Sequence, residues 1–190
     1  MLNYNSPINN QIKYNDISIK ELSPIMKLNL RGKKREFFTI VGKQLDMILP
    51  TEANTSSSSS KLTSIWLSPD EWMVVSNEII KKDTNKYVLE ESLYNSISKT
   101  NLGAVVDVTD QFVMLELEGT KIYELFSSGS PFNFNEFKEK KGSTTQTLLN
   151  NIDVIVHHKD KNLVNLFVRR SFSEHLYSWI NDSASRLECY

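Results

Sequence analysis

The sequence predicts an α+β fold with mixed or antiparallel sheets, and three observations support this prediction. First, residues 112–119 alternate apolar and polar side chains, which is the two-residue period of a half-buried strand. Second, short turns join several predicted strands directly, as in antiparallel hairpins. Third, the elements follow one another in two rounds of strands, helix, strands, helix, whereas a doubly wound parallel sheet alternates single strands with helices.

The first round of elements begins after an irregular segment. Residues 1–20 are rich in asparagine and weakly patterned, and they predict a flexible N-terminal arm. Residues 26–30 predict a strand, and apolar residues spaced three and four apart over 37–48 predict a helix that Pro50 ends. The serine-rich segment 51–61 predicts a flexible loop, because serine offers no apolar surface to bury.

Two strands joined by a tight turn are predicted over residues 62–76. Pro69 presets the backbone of this turn, and Trp66 and Trp72 flank it. Tryptophans beside a hairpin usually pack into a core, which is the preferred interpretation here. The second interpretation is that they anchor a partner.

A helix and further strands follow in the second half of the chain. Residues 83–85 are of the types that cap helix N-termini, and apolar residues then recur at four-residue steps. A pair of strands is predicted within 105–119, followed by a short helix that ends near Gly129. A strand at 144–149 and a hairpin over 152–168 complete the predicted sheets.

The last helix has the clearest signals. Ser171 and Glu174 fit a capping box, in which the serine hydroxyl accepts from the backbone amide three residues on and the glutamate reaches back. The helix also has one apolar stripe, predicted to comprise Phe172, Leu176, Trp179 and Ile180.

Length and composition bound the organisation and the partners. The 190 residues suffice for one domain over 21–185, with a first lobe at about 21–102, a second at about 103–185 and a tail at 186–190. Hydrophobic content of 39% and charged content of 24% are ordinary for a soluble globular protein. The net charge of −1 gives no electrostatic argument for nucleic acid or anionic lipid as a partner.

Signals for export, membrane insertion and disulfides are lacking. The N-terminal residues do not show the charged-then-apolar order of a signal peptide, and no apolar run approaches the roughly 20 residues of a membrane span. A cytoplasmic location is therefore expected. The single cysteine, Cys189, cannot form an intramolecular disulfide or anchor a cysteine-rich zinc site.

No motif indicates a catalytic, cofactor-binding or metal-binding residue. The six glycines are scattered and match neither the dinucleotide-binding pattern nor the P-loop. His157 and His158 are adjacent in a predicted strand, so they should point to opposite faces and are poorly placed to share a metal. Arg169 and Arg170, before the last helix, could bind an anion or a partner carboxylate, although a solvated pair is the commoner outcome.

Six short segments give the chain a family resemblance. They resemble, in the same order, segments of the gamma subunit of heterotetrameric sarcosine oxidase, over about residues 60–182 with a weaker similarity from residue 26. The segments are 65–72 (IWLSPDEW), 106–109 (VDVT), 117–119 (LEG), 129–132 (GSPF), 146–149 (QTLL) and 168–172 (VRRSF). In two departures, Ser130 stands where the family often has cysteine, and Lys141 precedes Gly142 where it often has proline.

The resemblance implies a reduced relative of the folate-binding fold of the glycine-cleavage T-protein, built from two repeated strand-helix-strand-helix units. In the family, the alpha and beta subunits carry FAD, FMN, NAD and the tetrahydrofolate site, the delta subunit carries zinc, and the gamma subunit has no known cofactor. The complex oxidises sarcosine to glycine with formaldehyde or methylene-tetrahydrofolate, and oxygen becomes hydrogen peroxide. The role implied for this chain is a non-catalytic assembly subunit with the alpha, beta and delta subunits as partners, without nucleic acid or membrane.

Two alternatives to the assembly role stay open. A free-standing folate-dependent protein of the T-protein kind would use Asp153, near the matching position of the T-protein's acidic strand, to hold or polarise the folate amine. A single carboxylate in a strand is, however, more often a turn or edge residue. A generic interaction module remains if the resemblance is one of fold alone.

Overall fold

A computed structural model describes residues 5–8, 11–22, 24–82 and 85–188. The strands in this part of the chain are β1 (Ile12–Lys13), β2 (Ile17–Glu21), β3 (Lys27–Gly32), β4 (Ser56–Ser58), β5 (Leu62–Ser68), β6 (Glu71–Ser76), β7 (Gly103–Asp107), β8 (Phe112–Gly119), β9 (Thr144–Leu149), β10 (Ile152–Asp160) and β11 (Leu163–Arg169). The helices are α1 (Arg35–Leu45), α2 (Val88–Leu93), α3 (Ile122–Ser127) and α4 (Arg170–Glu188), with a π-helical turn at Tyr94–Ser98 and a 3-10 turn at Phe137–Glu139.

The described residues form two compact units, one of residues 24–110 and one of residues 5–22 with 111–188. Each unit has one sheet, and every strand pair in these ranges is antiparallel. The predicted α+β fold is confirmed. The division differs from the predicted lobes, because β7 pairs with β3 in the first unit and β2 pairs with β8 in the second.

The first unit has a five-stranded sheet in the order β4-β5-β6-β3-β7. One face of this sheet is apolar, because Leu28 pairs with Val74 and Leu30 pairs with Trp72 across β3 and β6. Helix α1 packs its buried residues into the same core at four-residue steps, which place them on one side of a helix. These residues are Phe37, Val41 and Leu45.

Trp72 lies at the centre of the first core. Its indole Nε1 donates a hydrogen bond to the Pro50 carbonyl oxygen at 2.8 Å. Its ring centroid lies 5.8 Å from that of Phe37 and 5.3 Å from that of Phe38. Trp66 is half-buried and packs against the same core. The preferred interpretation of both tryptophans as core residues is therefore confirmed.

The second unit has a six-stranded sheet in the order β1-β2-β8-β11-β10-β9. Its core lies on one face, where alternate residues of β8 and β11 meet: Leu115 pairs with Leu166 and Leu117 pairs with Val164. The buried stripe of α4 closes this core with Leu176, Ile180 and Ala184.

Two segments that were predicted to be flexible form strands. Residues 17–20 of the predicted arm belong to strand β2, which pairs with β8, and Ile17 and Ile19 are buried in the second core. Within the predicted serine-rich loop, Ser56–Ser58 pairs with β5 as the edge strand β4. Both predictions are wrong for these residues, because backbone hydrogen bonds to a neighbouring strand order them.

Two helix ends in the first unit also differ from their predictions. Helix α1 ends at Leu45, well before Pro50, because Asp46 adopts a left-handed φ of 51°. Helix α2 begins at Val88, and the N–H of its N-cap residue Tyr87 donates to Glu90 Oε2 at 3.4 Å. Of the predicted capping residues, Asp83 and Thr84 lie outside the described part of the chain.

Helix α4 is longer than predicted at both ends. It begins at Arg170, so Ser171 is its second residue and does not cap it. It continues to Glu188 through the first residues of the predicted tail. Phe172, placed in the predicted apolar stripe, is 50% exposed, because the buried stripe contains Leu176, Ile180 and Ala184 instead.

A β-bulge at Lys159 sets the register of the β10–β11 hairpin. With this extra residue, Val154 pairs with Val168, and both side chains enter the core. Without it, the turn at residues 161–162 would bring Val154 opposite Arg169, since a shift of one residue exchanges the two faces of a strand. The bulge therefore places the apolar sides of both strands on one face.

We expect Gly119→Ala to destabilise the fold and Gly42→Ala to stabilise it. Gly119 has a φ of +146°, and an added Cβ would lie 1.9 Å from the Asp16 carbonyl oxygen. Gly42 lies inside α1, where the nearest atom to an added Cβ is the Met47 carbonyl oxygen at 3.4 Å. The first change should lower the free energy of unfolding by more than about 2 kcal/mol. The second should raise it by roughly 0.5 kcal/mol. Urea unfolding at 25 °C measures both, and a Gly119→Ala protein as stable as the wild type would contradict the assigned strain.

Candidate functional site

An open pocket of about 480 Å³ lies at one corner of the six-stranded sheet of the second unit. It forms where β8 and β10 begin and where β9 and β11 end, because antiparallel neighbours bring opposite ends together. Its walls combine apolar and charged side chains, of which the principal ones are Phe112, Pro131, Leu148, Asp153, Ile155 and Arg169.

The strand register places four of these side chains on one face. Asp153 pairs with Leu148, and Arg169 pairs with Phe112. Directly opposed residues of antiparallel strands share a face. The adjacent residue Val154 points into the core, so the pocket lies on the face opposite the core.

The two charged residues of the pocket are exposed and lie side by side. Val154 on β10 pairs with Val168 on β11. Asp153 precedes the first and Arg169 follows the second, so these two residues occupy neighbouring positions on adjacent antiparallel strands. Neither side chain makes a hydrogen bond or ion pair with any residue that the structure describes. A carboxylate and a guanidinium in this state can bind charged groups of another molecule.

A short loop closes one side of the pocket. The hydroxyl oxygens of Ser130 and Thr147 are 3.2 Å apart, and the Asn150 N–H donates to the Gly129 carbonyl oxygen at 2.9 Å. These bonds hold Pro131 against the end of β9. Ser130 thus has a structural hydrogen bond at the position where the family often has cysteine.

The adjacent histidines point to opposite faces of β10, as predicted. His158 Nδ1 lies 3.2 Å from the Phe137 carbonyl oxygen and 3.1 Å from that of Lys140. Since both partners are acceptors, we assign the proton to Nδ1, which donates to them. His157 lies between Thr144 and Asn165 on the other face, and burial lowers its pKa to about 4.

The remaining site candidates separate in the structure. His175 is exposed on α4, and the described ranges contain no cluster of three or more His, Cys, Asp or Glu able to hold a metal ion. Arg169 lines the pocket, whereas the Arg170 side chain donates to the Asn5 carbonyl oxygen. Cys189 lies outside the described residues.

Asp153 and Arg169 are the sequence-predicted candidates that lie in the pocket. Sequence reasoning missed Phe112, Pro131 and Leu148, which come from separate strands and a loop. One sequence signal could have brought Asp153 and Arg169 together: they lie at similar distances on either side of the hairpin turn. This signal gives the right answer only if the bulge is known, because a regular turn would put the two side chains on opposite faces of the hairpin.

A family model described as the sarcosine oxidase, gamma subunit family matches residues 32–186. The chain belongs to this family. Its members therefore include a chain with the two-unit architecture described above. Among the curated proteins, none matches the sequence significantly.

Two solved structures support the fold of this gamma subunit family member. It is similar to the heterotetrameric sarcosine oxidase from Corynebacterium sp. U-96 in complex with pyrrole 2-carboxylate, with 19% identity, a TM-score of 0.81, and coverage of 94% of this chain and 89% of that chain. It is also similar to the glycine cleavage system aminomethyltransferase T from Bartonella henselae, with 12% identity and a TM-score of 0.57. That match covers 87% of this chain but only 45% of the aminomethyltransferase. The predicted likeness to the T-protein fold is confirmed.

Among the residues that the structure describes, no helix is both long enough and apolar enough to cross a membrane.

We expect His157→Gln to weaken the acid sensitivity of the fold. Burial, with smaller contributions from Lys159 and His158, lowers the pKa of His157 to about 4. In the unfolded chain this residue takes up a proton near its ordinary pKa of about 6.5. Stability is therefore fully present above pH ~6.5 and falls as the pH drops toward 4, because the unfolded state binds the proton first.

Between pH 7.5 and 4.5 the wild type should lose about 2 kcal/mol more stability than His157→Gln, measured by urea unfolding at each pH. His175→Gln is the matched control, because it makes the same substitution at an exposed position of α4. Parallel pH profiles for the wild type and His157→Gln would refute the assignment.

Proposed function

We propose that this chain is the gamma subunit of a heterotetrameric sarcosine oxidase and that it serves assembly rather than catalysis. The observation that carries the proposal is the family match over residues 32–186, which includes most of both units. The fold similarity to the Corynebacterium oxidase, over nearly the whole of each chain, supports it.

The segments that carry the family resemblance have structural contacts, which favours an assembly role. In the VDVT segment, Asp107 Oδ1 accepts from the Thr109 N–H at 2.9 Å, and Thr109 Oγ1 accepts from the Lys27 N–H at 3.0 Å. Burial opposes the charge of Asp107, but hydrogen bonds from Lys82 and Thr109 lower the pKa of this carboxyl below its ordinary value. These polar groups hold the ends of β3 and β7 together.

Two other segments that carry the family resemblance also have structural roles. In the IWLSPDEW segment, the Ser68 hydroxyl donates to Asp70 Oδ1 at 2.9 Å within the turn, and Trp72 is a core residue. In the LEG segment, Gly119 provides the positive φ that its position requires. Residues with these structural contacts maintain a shape, and a defined shape is what an assembly subunit contributes.

The proposed complex oxidises sarcosine to glycine, with formaldehyde or methylene-tetrahydrofolate as the one-carbon product, and it reduces oxygen to hydrogen peroxide. In this proposal the alpha, beta and delta subunits are the partners. They hold FAD, FMN, NAD, tetrahydrofolate and zinc, and the complex is cytoplasmic. This chain contributes apolar and charged surface that keeps the large subunits in register.

Co-expression of this chain with the alpha, beta and delta subunits tests the proposal. We expect the chain to co-elute with them in size-exclusion chromatography, and we expect flavin absorbance and sarcosine oxidation in that fraction. The isolated chain should be colourless and inactive on sarcosine, because its proposed role supplies no reacting group. Flavin bound to the isolated chain, or sarcosine oxidised by it, would contradict the assembly role.

Calorimetric titration with tetrahydrofolate tests the folate-dependent alternative, which no observation favours. We expect no heat of binding to the isolated chain. If binding occurs and Asp153→Ala abolishes it, the folate-dependent function replaces the assembly role. Asp160→Ala is the control, because Asp160 is an exposed carboxylate at the opposite end of the same strand.

A further inference from the structure

We propose that the pocket at the ends of β8, β9, β10 and β11 receives a segment of a partner subunit. That segment places an apolar side chain in the pocket, a cation beside Asp153 and a carboxylate beside Arg169. The inference rests on the proposed function and identifies the surface through which an assembly subunit of this shape would bind.

The charges of the pocket are available to a partner, unlike neighbouring charges of the same sheet. Glu116 on β8 binds both Lys20 at 2.8 Å and Lys159 at 3.2 Å, so its charge is neutralised within the chain. Asp153 and Arg169 lie side by side, but no ion pair joins them to each other or to another residue in the described ranges. A complementary pair of charges on a partner would neutralise both.

The apolar part of the pocket has the composition of an interface centre. Leu148 on the edge strand β9 is 39% exposed and lies beside Asp153, whereas Phe112 on β8 lies beside Arg169, so an apolar side chain flanks each charge. Tight protein interfaces combine an apolar anchor seated in a pocket with polar and charged groups around its rim. Here the order is reversed: the two charges lie at the centre of the row, between Leu148 and Phe112, so a partner that covers the row removes water from the charged and the apolar groups together.

A protein segment fits this pocket better than a small molecule does. Small-ligand sites bury roughly 70–90% of the ligand surface and enclose their polar groups. Asp153 and Arg169 are instead exposed, so a small zwitterion bound there would stay in contact with water and be held weakly. A partner chain would cover the pocket and remove water from both charges, which strengthens their interactions.

Binding of the separately purified chain to a complex of the other three subunits tests the inference. Asp153→Arg should weaken the affinity by about tenfold or more, because it replaces an attraction with a repulsion. Leu148→Ser should also weaken it, through loss of apolar contact. Glu118→Arg is the matched control: it makes the same charge change at an exposed residue of β8 outside the pocket, and it should alter the affinity by less than about twofold.

The results distinguish this inference from the proposed function. Thermal unfolding of each variant should stay within about 3 °C of the wild type, because all three changes are at exposed positions. If the wild type binds the other subunits and the pocket variants bind equally well, the pocket is not the docking surface, although the assembly role stands. If the wild type does not bind, the assembly role fails and this inference fails with it. Stabilisation of the isolated chain by millimolar sarcosine, lost in Arg169→Asp, would assign the pocket to a small ligand instead.

Discussion

The register of the β10–β11 hairpin is the constraint on which the second unit depends. The bulge at Lys159 brings Val154 opposite Val168, so that both strands turn their apolar sides toward α3 and α4. A slip of one residue would turn Arg169 toward the core, and burying an unpaired guanidinium is strongly unfavourable. The bulge that completes the core therefore also puts Asp153 and Arg169 together at the surface. Core and pocket are two consequences of one local irregularity.

Local patterns in the sequence predicted the elements that make their own contacts. The alternation over residues 112–119 identified β8, because a two-residue period reports one buried face whatever strands lie beside it. Strand β2 was missed because its order comes from pairing with β8, about one hundred residues away in the sequence. Strand β4 was missed because its serines contribute backbone hydrogen bonds rather than apolar surface. In both cases the ordering interaction is not encoded in the segment itself.

The candidate site shows the same limit. Asp153 was identified from the sequence as a carboxylate that begins a strand, and the opposite orientations of His157 and His158 followed from the strand period alone. The surroundings of Asp153 were not predictable, because Phe112 and Arg169 reach it through two strand pairings and one bulge. Each strand pairing has several possible registers, so the number of possible arrangements grows with each pairing. No short sequence motif identifies the correct register.

The segment at residues 168–172 has two roles. Like the other segments that carry the family resemblance it stabilises the fold, and it also presents a charged side chain to the proposed partner. Val168 enters the core, and the backbone N–H of Arg170 donates to the Gln111 carbonyl oxygen at 2.9 Å, which fixes the start of α4 beside the start of β8. Arg169 lies between these two anchored residues, so its backbone position is fixed although its side chain is exposed. A charge held in this way loses less conformational freedom on binding than one on a mobile loop, and preorganisation of this kind favours association. The same five residues thus hold the fold and present a charge at a defined place on its surface.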